Sequence, residues 1–100
     1  MQKSYTVKLS QDSIDSLVTA KNYYNNCKPN LGKKFIANYK TAIKKLKRNP
    51  FYKIQYNDIR CIMIPKFQDR IHYFVNEEKQ IIFILDVIHC KLNPDDNWLW

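Results

Sequence analysis

After a short first segment, the hydrophobic period of this chain changes once, and that change limits the folds open to it. From Ile14 to "RNP" at residues 48–50 the apolar residues recur at helical spacing, and from Ile59 onward they fall into short strand-like runs. In the segment before Pro50, Leu31, Phe35, Tyr39, Ala42, Ile43 and Leu46 form one stripe, and Lys33, Lys40, Lys44 and Lys47 lie largely off it. That is the pattern of an amphipathic helix. Pro50 ends it, because proline disfavours the helical conformation at Asn49. An earlier helix is predicted from Ile14, Leu17, Val18 and Tyr24, with Ser10 as its cap and Asp12 as a favourable charge in its first turn. "CKPNLG" separates the two, and Asn30 is the predicted cap of the second. Ahead of both, Tyr5, Val7 and Leu9 alternate as a half-buried strand does.

Beyond Pro50 three runs read as strands: "IRCIMI", closed by Pro65, then "RIHYFV" and "QIIFILDVIH", joined by the polar "NEEK". The expected class is α+β. An N-terminal strand and an antiparallel two-helix hairpin precede a three-stranded antiparallel meander, and the helices pack on one face of a mainly antiparallel sheet. One domain spans 1–100, with no repeats or linkers. Pairing Asn76 with Lys79 across a two-residue loop puts Arg70, His72 and Phe74 on one face with Phe83, Leu85 and His89. Ile71, Tyr73 and Val75 then share the helix-packed face with Ile82, Ile84 and Ile88, where Asp86 is the one polar residue. On this register Arg70 and His89 lie on the same open side.

With 45% apolar and 14% aromatic residues, 100 residues suffice for a core without metal or disulfide staples. Cys27, Cys61 and Cys90 are far apart and odd in number, and only two histidines accompany them, so reduced thiols and no zinc are expected. The first ten residues hold no apolar signal core, and the longest purely apolar run, Ile81 to Leu85, is too short to cross a bilayer. A cytoplasmic protein with no membrane partner is the expectation. The net charge of +8 is uneven: no acidic residue lies between Asp15 and Asp58, an interval that holds ten lysines and arginines from Lys21 to Lys53. Such a field attracts polyanions, either nucleic acid or an acidic protein, unless it only solvates a helix.

Four segments together resemble the RelE/ParE superfamily of type II toxin-antitoxin toxins. They are "NPF" at 49–51, "IR" at 59–60, "KFQDRIHYFVNEEKQIIFILDVIH" from Lys66 to His89, and "NPDDNW" from Asn93 to Trp98. The resemblance covers nearly the whole chain, and the ending Asn-Pro-x-x-x-Trp favours the ParE-like branch. It implies a toxin of a plasmid-stabilisation type module, growth-inhibiting and held inactive by a cognate antitoxin. That antitoxin would lay an acidic segment with apolar anchors across the helices and sheet. The target implied is DNA gyrase or ribosome-bound mRNA; in the second case the activity is a metal-independent endoribonuclease with no cofactor. Such cleavage needs general acid-base groups and cationic donors for the phosphate. By the resemblance, Arg70 falls at a phosphate-binding position and His89 at an acid-base position, a role suited to imidazole. Lys91 stands one place before Leu92, where relatives carry arginine, and supplies charge but no bidentate fork. Asp69 sets a negative charge beside Arg70, able to orient or partly neutralise it. The nucleic-acid or partner-binding candidates are Lys33, Lys40, Lys44, Lys47, Arg48, Arg60, Lys66 and Trp98. Two other readings stay open: a diverged, non-toxic binding module, motivated by Leu92, and a small basic nucleic-acid-binding domain.

Overall fold

The computed structural model describes residues 4–89 of the chain. Strand β1 (Thr6–Leu9) leads into helices α1 (Gln11–Cys27) and α2 (Leu31–Arg48), followed by β2 (Ile54–Tyr56), β3 (Ile59–Met63), β4 (Asp69–Asn76) and β5 (Ile81–His89). The strands form one sheet in the order β1-β5-β4-β3-β2. β1 runs parallel to β5, and the other three pairings are antiparallel. The α+β class, the helical hairpin and the mainly antiparallel sheet are as expected, but four strands follow the hairpin instead of three. The additional strand exists because Asn57 and Asp58 both take positive φ, 42° and 64°. They close a two-residue hairpin between Tyr56 and Ile59, the conformation whose twist suits adjoining strands.

Ser10 caps α1 as predicted. Its hydroxyl accepts from the Ser13 N–H at 3.0 Å and donates to the Leu85 carbonyl at 2.8 Å, so the cap also ties the helix to β5. The inward side of α1 differs from the predicted stripe. Ser13 and Tyr24 are buried and Leu17 and Ala20 pack on the core, while Ile14 and Val18 are exposed. Ser13 tolerates this position because its hydroxyl donates back to the Ser10 carbonyl. Asn30 does stand before α2 but does not cap with its side chain; it takes a left-handed φ of 68° to turn the chain. The α2 stripe is as read: Phe35, Tyr39, Ala42 and Leu46 are buried against Ile64, Ile71, Tyr73, Ile82, Ile84 and Val87 of the sheet layer. Burying one such large apolar side chain contributes about 1.5–3 kcal/mol. The Tyr73 hydroxyl, inside this core, donates to the Pro50 carbonyl at 2.7 Å. Among the described residues no helix is long and apolar enough to cross a membrane.

The β4–β5 pairing corrects the predicted faces. Asn76 pairs with Ile81, leaving a four-residue connection where two residues had been expected. Within it, the Asn76 side chain accepts from the Lys79 N–H and Gln80 takes a φ of 55°. Two extra residues move each pairing by two and preserve parity, so Tyr73 and Val75, now opposite Ile84 and Ile82, still share their face, and Phe74 still shares the other with Phe83. The register then shifts: His72 pairs with Asp86, and Leu85 is the extra residue of a bulge. A single inserted residue exchanges the two faces beyond it. Asp69 therefore pairs with His89, and Arg70 with Ile88. Val87 becomes a core residue at 6% exposure, and Ile88, expected inside, is 42% exposed.

Candidate functional site

The bulge separates the two residues expected to work together. Arg70 stands on the sheet face away from the helices, across from Met63, whereas His89 turns toward α1. Nor does Asp69 attend Arg70; neighbours on a strand point to opposite faces. Asp69 is 2% exposed, and its Oδ1 accepts from the Tyr24 hydroxyl at 2.5 Å and lies 3.2 Å from His89 Nδ1. The Tyr24 hydroxyl is itself 3.4 Å from Nδ1. Burial first, and the Asp69 carboxylate second, push the Tyr24 phenol well above its ordinary range, so it keeps its proton and donates. The ring of His89 remains 44% exposed. These three residues close one end of a cleft of about 600 Å³ between α1 and β5, whose other walls include Asp15, Thr19, Tyr23 and Val87.

On the opposite face a second histidine takes the place beside Arg70 that had been assigned to His89. Arg70 and His72 are 6% and 8% exposed. His72 Nδ1 lies 3.0 Å from the Tyr56 hydroxyl and 3.3 Å from Cys61 Sγ. Burial raises the Tyr56 phenol, which keeps its proton and is able to donate to Nδ1. Among the described residues, the His72 Nε2 is buried without a hydrogen-bond partner. Burial holds His72 below the ordinary imidazole range; Asp86 opposes this and Arg70 adds to it. Asp86 itself accepts from the Ser16 hydroxyl at 2.6 Å, which accounts for the one polar residue in the β5 run.

The basic candidates divide into two groups. Lys33, Lys40, Lys44, Lys47 and Arg48 are exposed along α2. Lys40, Lys44 and Lys47 line a groove of about 340 Å³ with Val7, Leu9, Tyr39 and Ile43, between α2 and the edge strand β1. Lys66 sits at the left-handed corner of the turn from Ile64 to Phe67, φ 69°, and shares a second cleft with Lys34. Arg60 is occupied structurally: its guanidinium lies over the Phe51 ring at 5.3 Å and donates to the Tyr52 carbonyl. Lys91 and Trp98 lie outside the described residues, as does Cys90. Among the described residues no group of three or more histidine, cysteine, aspartate or glutamate side chains is arranged to hold a metal ion. The sequence reading missed Tyr24 and His72 as site residues, and it set Asp69 beside Arg70 instead of against Tyr24 and His89. Only Asp69 carried a signal, as a carboxylate at the start of a buried strand.

No family model matches the sequence, and no curated protein matches it. Solved structures do. A chain of the chromosomal ParDE toxin-antitoxin system from P. aeruginosa superposes with a TM-score of 0.75 at 13% identity, over 88% of this chain and 98% of that one. A chain of the RelBE2 toxin-antitoxin complex from Mycobacterium tuberculosis gives 0.61 at 18% identity, over 87% and 99%. A mutant of the E. coli toxin RelE in the free state gives 0.63 at 16% identity, over 84% and 81%. The chain has the fold shared by these proteins.

Proposed function

We propose that this chain is the toxin component of a type II toxin-antitoxin module, neutralised by a cognate antitoxin in the cytoplasm, with DNA gyrase as its target. The observation that carries the antitoxin part is the groove between β1 and α2. Its floor is apolar, its rim holds Lys40, Lys44 and Lys47, and it runs beside a sheet edge. An acidic segment with apolar anchors complements it, by burial along the floor and by charge at the rim. The likeness to chains of ParDE and RelBE2 supports the same reading, since both come from toxin-antitoxin systems.

The separation of Arg70 from His89 supports gyrase over mRNA. Metal-independent cleavage of a ribose-phosphate bond needs an acid-base group and a phosphate-binding cation at one phosphorus. Here the two resemblance-assigned residues stand on opposite faces of one sheet. Co-expression with any small acidic protein encoded next to this chain is expected to yield a tight complex. Induction of the wild type, Arg70→Ala and His89→Ala without that protein is then read for growth, gyrase cleavage complexes and new mRNA 5' ends. Growth arrest with gyrase complexes insensitive to His89→Ala supports the proposal. New mRNA ends lost in both variants assign the ribonuclease activity instead, and unaffected growth assigns a non-toxic binding module.

A further inference from the structure

The sheet face away from the helices has a composition of its own. Arg70 and His72 stand in the middle of it on β4, at 6% and 8% exposure. Around them Tyr56, Met63 and Phe74 are 37–45% exposed. Pairing and alternation place all three on this face: Met63 lies opposite Arg70, the Tyr56 hydroxyl reaches the His72 ring, and Phe74 follows His72 by two residues. The core shared with α1 and α2 lies on the other side of the sheet. An antiparallel sheet can turn one face to water, but that face then carries polar residues. Large apolar side chains around a nearly buried arginine make instead a surface suited to being covered.

The position of the end of β5 says what can cover it. Ile88 pairs with Arg70, and β5 ends one residue later at His89. The sequence goes on from there with the eleven residues "CKLNPDDNWLW", so this segment starts beside Arg70. Fully extended, eleven residues reach about 35 Å, whereas the three strand spacings from β5 to β2 span about 14 Å. The segment complements the face in both respects: Leu92, Trp98, Leu99 and Trp100 are apolar, and Asp95 and Asp96 are carboxylates in a chain of net charge +8. A segment joined to its surface by a few residues also acts at an effective concentration of about millimolar, which a separate partner has to match.

We propose that this sheet face is the docking surface of the chain's own segment 90–100, with Trp98 and Trp100 on the apolar side chains and Asp95 and Asp96 toward Arg70. The contact is autoinhibitory, since any other anion reaches Arg70 only by displacing the segment. It lies on the opposite side of the sheet from the helices and uses neither α2 nor its groove, so it stands or falls apart from the antitoxin and gyrase readings.

Trp98 and Trp100 are the two tryptophans of the chain, so the intrinsic fluorescence of the full-length protein reports on this segment alone. The folded protein is expected to emit to the blue of the urea-unfolded chain and to be quenched several-fold less by acrylamide. Met63→Glu combined with Phe74→Glu, at exposed positions, is expected to return both readings toward the unfolded values while far-UV circular dichroism keeps the fold. Lys44→Glu, on α2, is expected to leave them unchanged. Asp95→Asn combined with Asp96→Asn, which alters no residue of the sheet, is expected to raise acrylamide quenching several-fold at low salt. The proposal is overturned if the folded chain emits and quenches like N-acetyl-tryptophanamide, or if the Asp95→Asn and Asp96→Asn protein behaves as the wild type. Readings indifferent to a folded Met63→Glu and Phe74→Glu protein place the segment elsewhere and overturn it too. A blue shift that fades on dilution overturns it in favour of a second copy of the chain on this face.

Discussion

His72 is the residue whose burial has the clearest thermodynamic consequence. Its pKa in the folded chain lies below the ordinary value, chiefly because burial disfavours the charged ring. Between the folded pKa and the unfolded value of about 6.5 the unfolded chain therefore binds more protons, and stability rises with pH across that window. The contribution is fully present above about pH 6.5 and is lost as pH falls through the folded pKa. Urea unfolding midpoints followed from about pH 8 to about pH 5 should fall more steeply in the wild type than in His72→Gln. Parallel curves would show that carboxylates, and not this ring, set the acid sensitivity. Gly32, the one glycine of the chain, is constrained differently. A Cβ there would overlap the Lys21 carbonyl, a backbone atom of the facing helix, and the Asn25 side chain at 2.6 Å. Asn25 also accepts from the Gly32 N–H at 2.8 Å. Gly32→Ala is expected to lose about 1–3 kcal/mol by overpacking, despite the ~1 kcal/mol that alanine gains in helix propensity. An unchanged urea midpoint would mean that the helices part at no cost.

Among the elements, the bulge in β5 decides which residues the sheet presents. If it forms as described, Val87 points into the core and Ile88 points out. Val87→Ala should then cost about 1–3 kcal/mol from lost methyl burial and the cavity left behind. Ile88→Ala should stay within about 0.5 kcal/mol, as exposed substitutions generally do. Regular alternation from Ile82 and Ile84 predicts the reverse order, so thermal or urea denaturation of the two variants separates the registers. The same strand shows why the fold was legible and the site was not. α2 displays five turns of amphipathic spacing, and the sheet-forming half shows itself through apolar runs bounded by polar ones. "IIFILDVIH" is apolar on nearly every residue, so a one-residue insertion leaves no trace in the pattern, yet it moves His89 to the other face. β2 was legible in principle: Asn57 and Asp58 are residue types that accept the left-handed conformation a two-residue hairpin demands. The strand they announce is only Ile54–Tyr56, too short for alternation to establish.

Across the whole molecule, charge is separated by element. α2 carries seven basic residues, Lys33, Lys34, Lys40, Lys44, Lys45, Lys47 and Arg48, and no acidic one. Asp12, Asp15, Asp69 and Asp86 lie on α1 or on strands β4 and β5. The chain therefore approaches an acidic partner with α2 leading, and steering by such a field acts on association more than on dissociation. Replacing Lys40, Lys44 and Lys47 together by glutamine leaves the helix intact, because all three are exposed and glutamine is a comparable helix former. The association rate with an acidic partner protein that forms such a complex should fall on the order of tenfold or more at low salt. Near 1 M salt, where the Debye length shrinks to about 3 Å, the variant and the wild type should converge. Dissociation should change less, since the apolar floor of Val7, Leu9, Tyr39 and Ile43 is untouched. Stopped-flow association measured across a salt series gives both slopes. Equal slopes for the two proteins would remove α2 from the encounter and move the docking surface elsewhere on the chain.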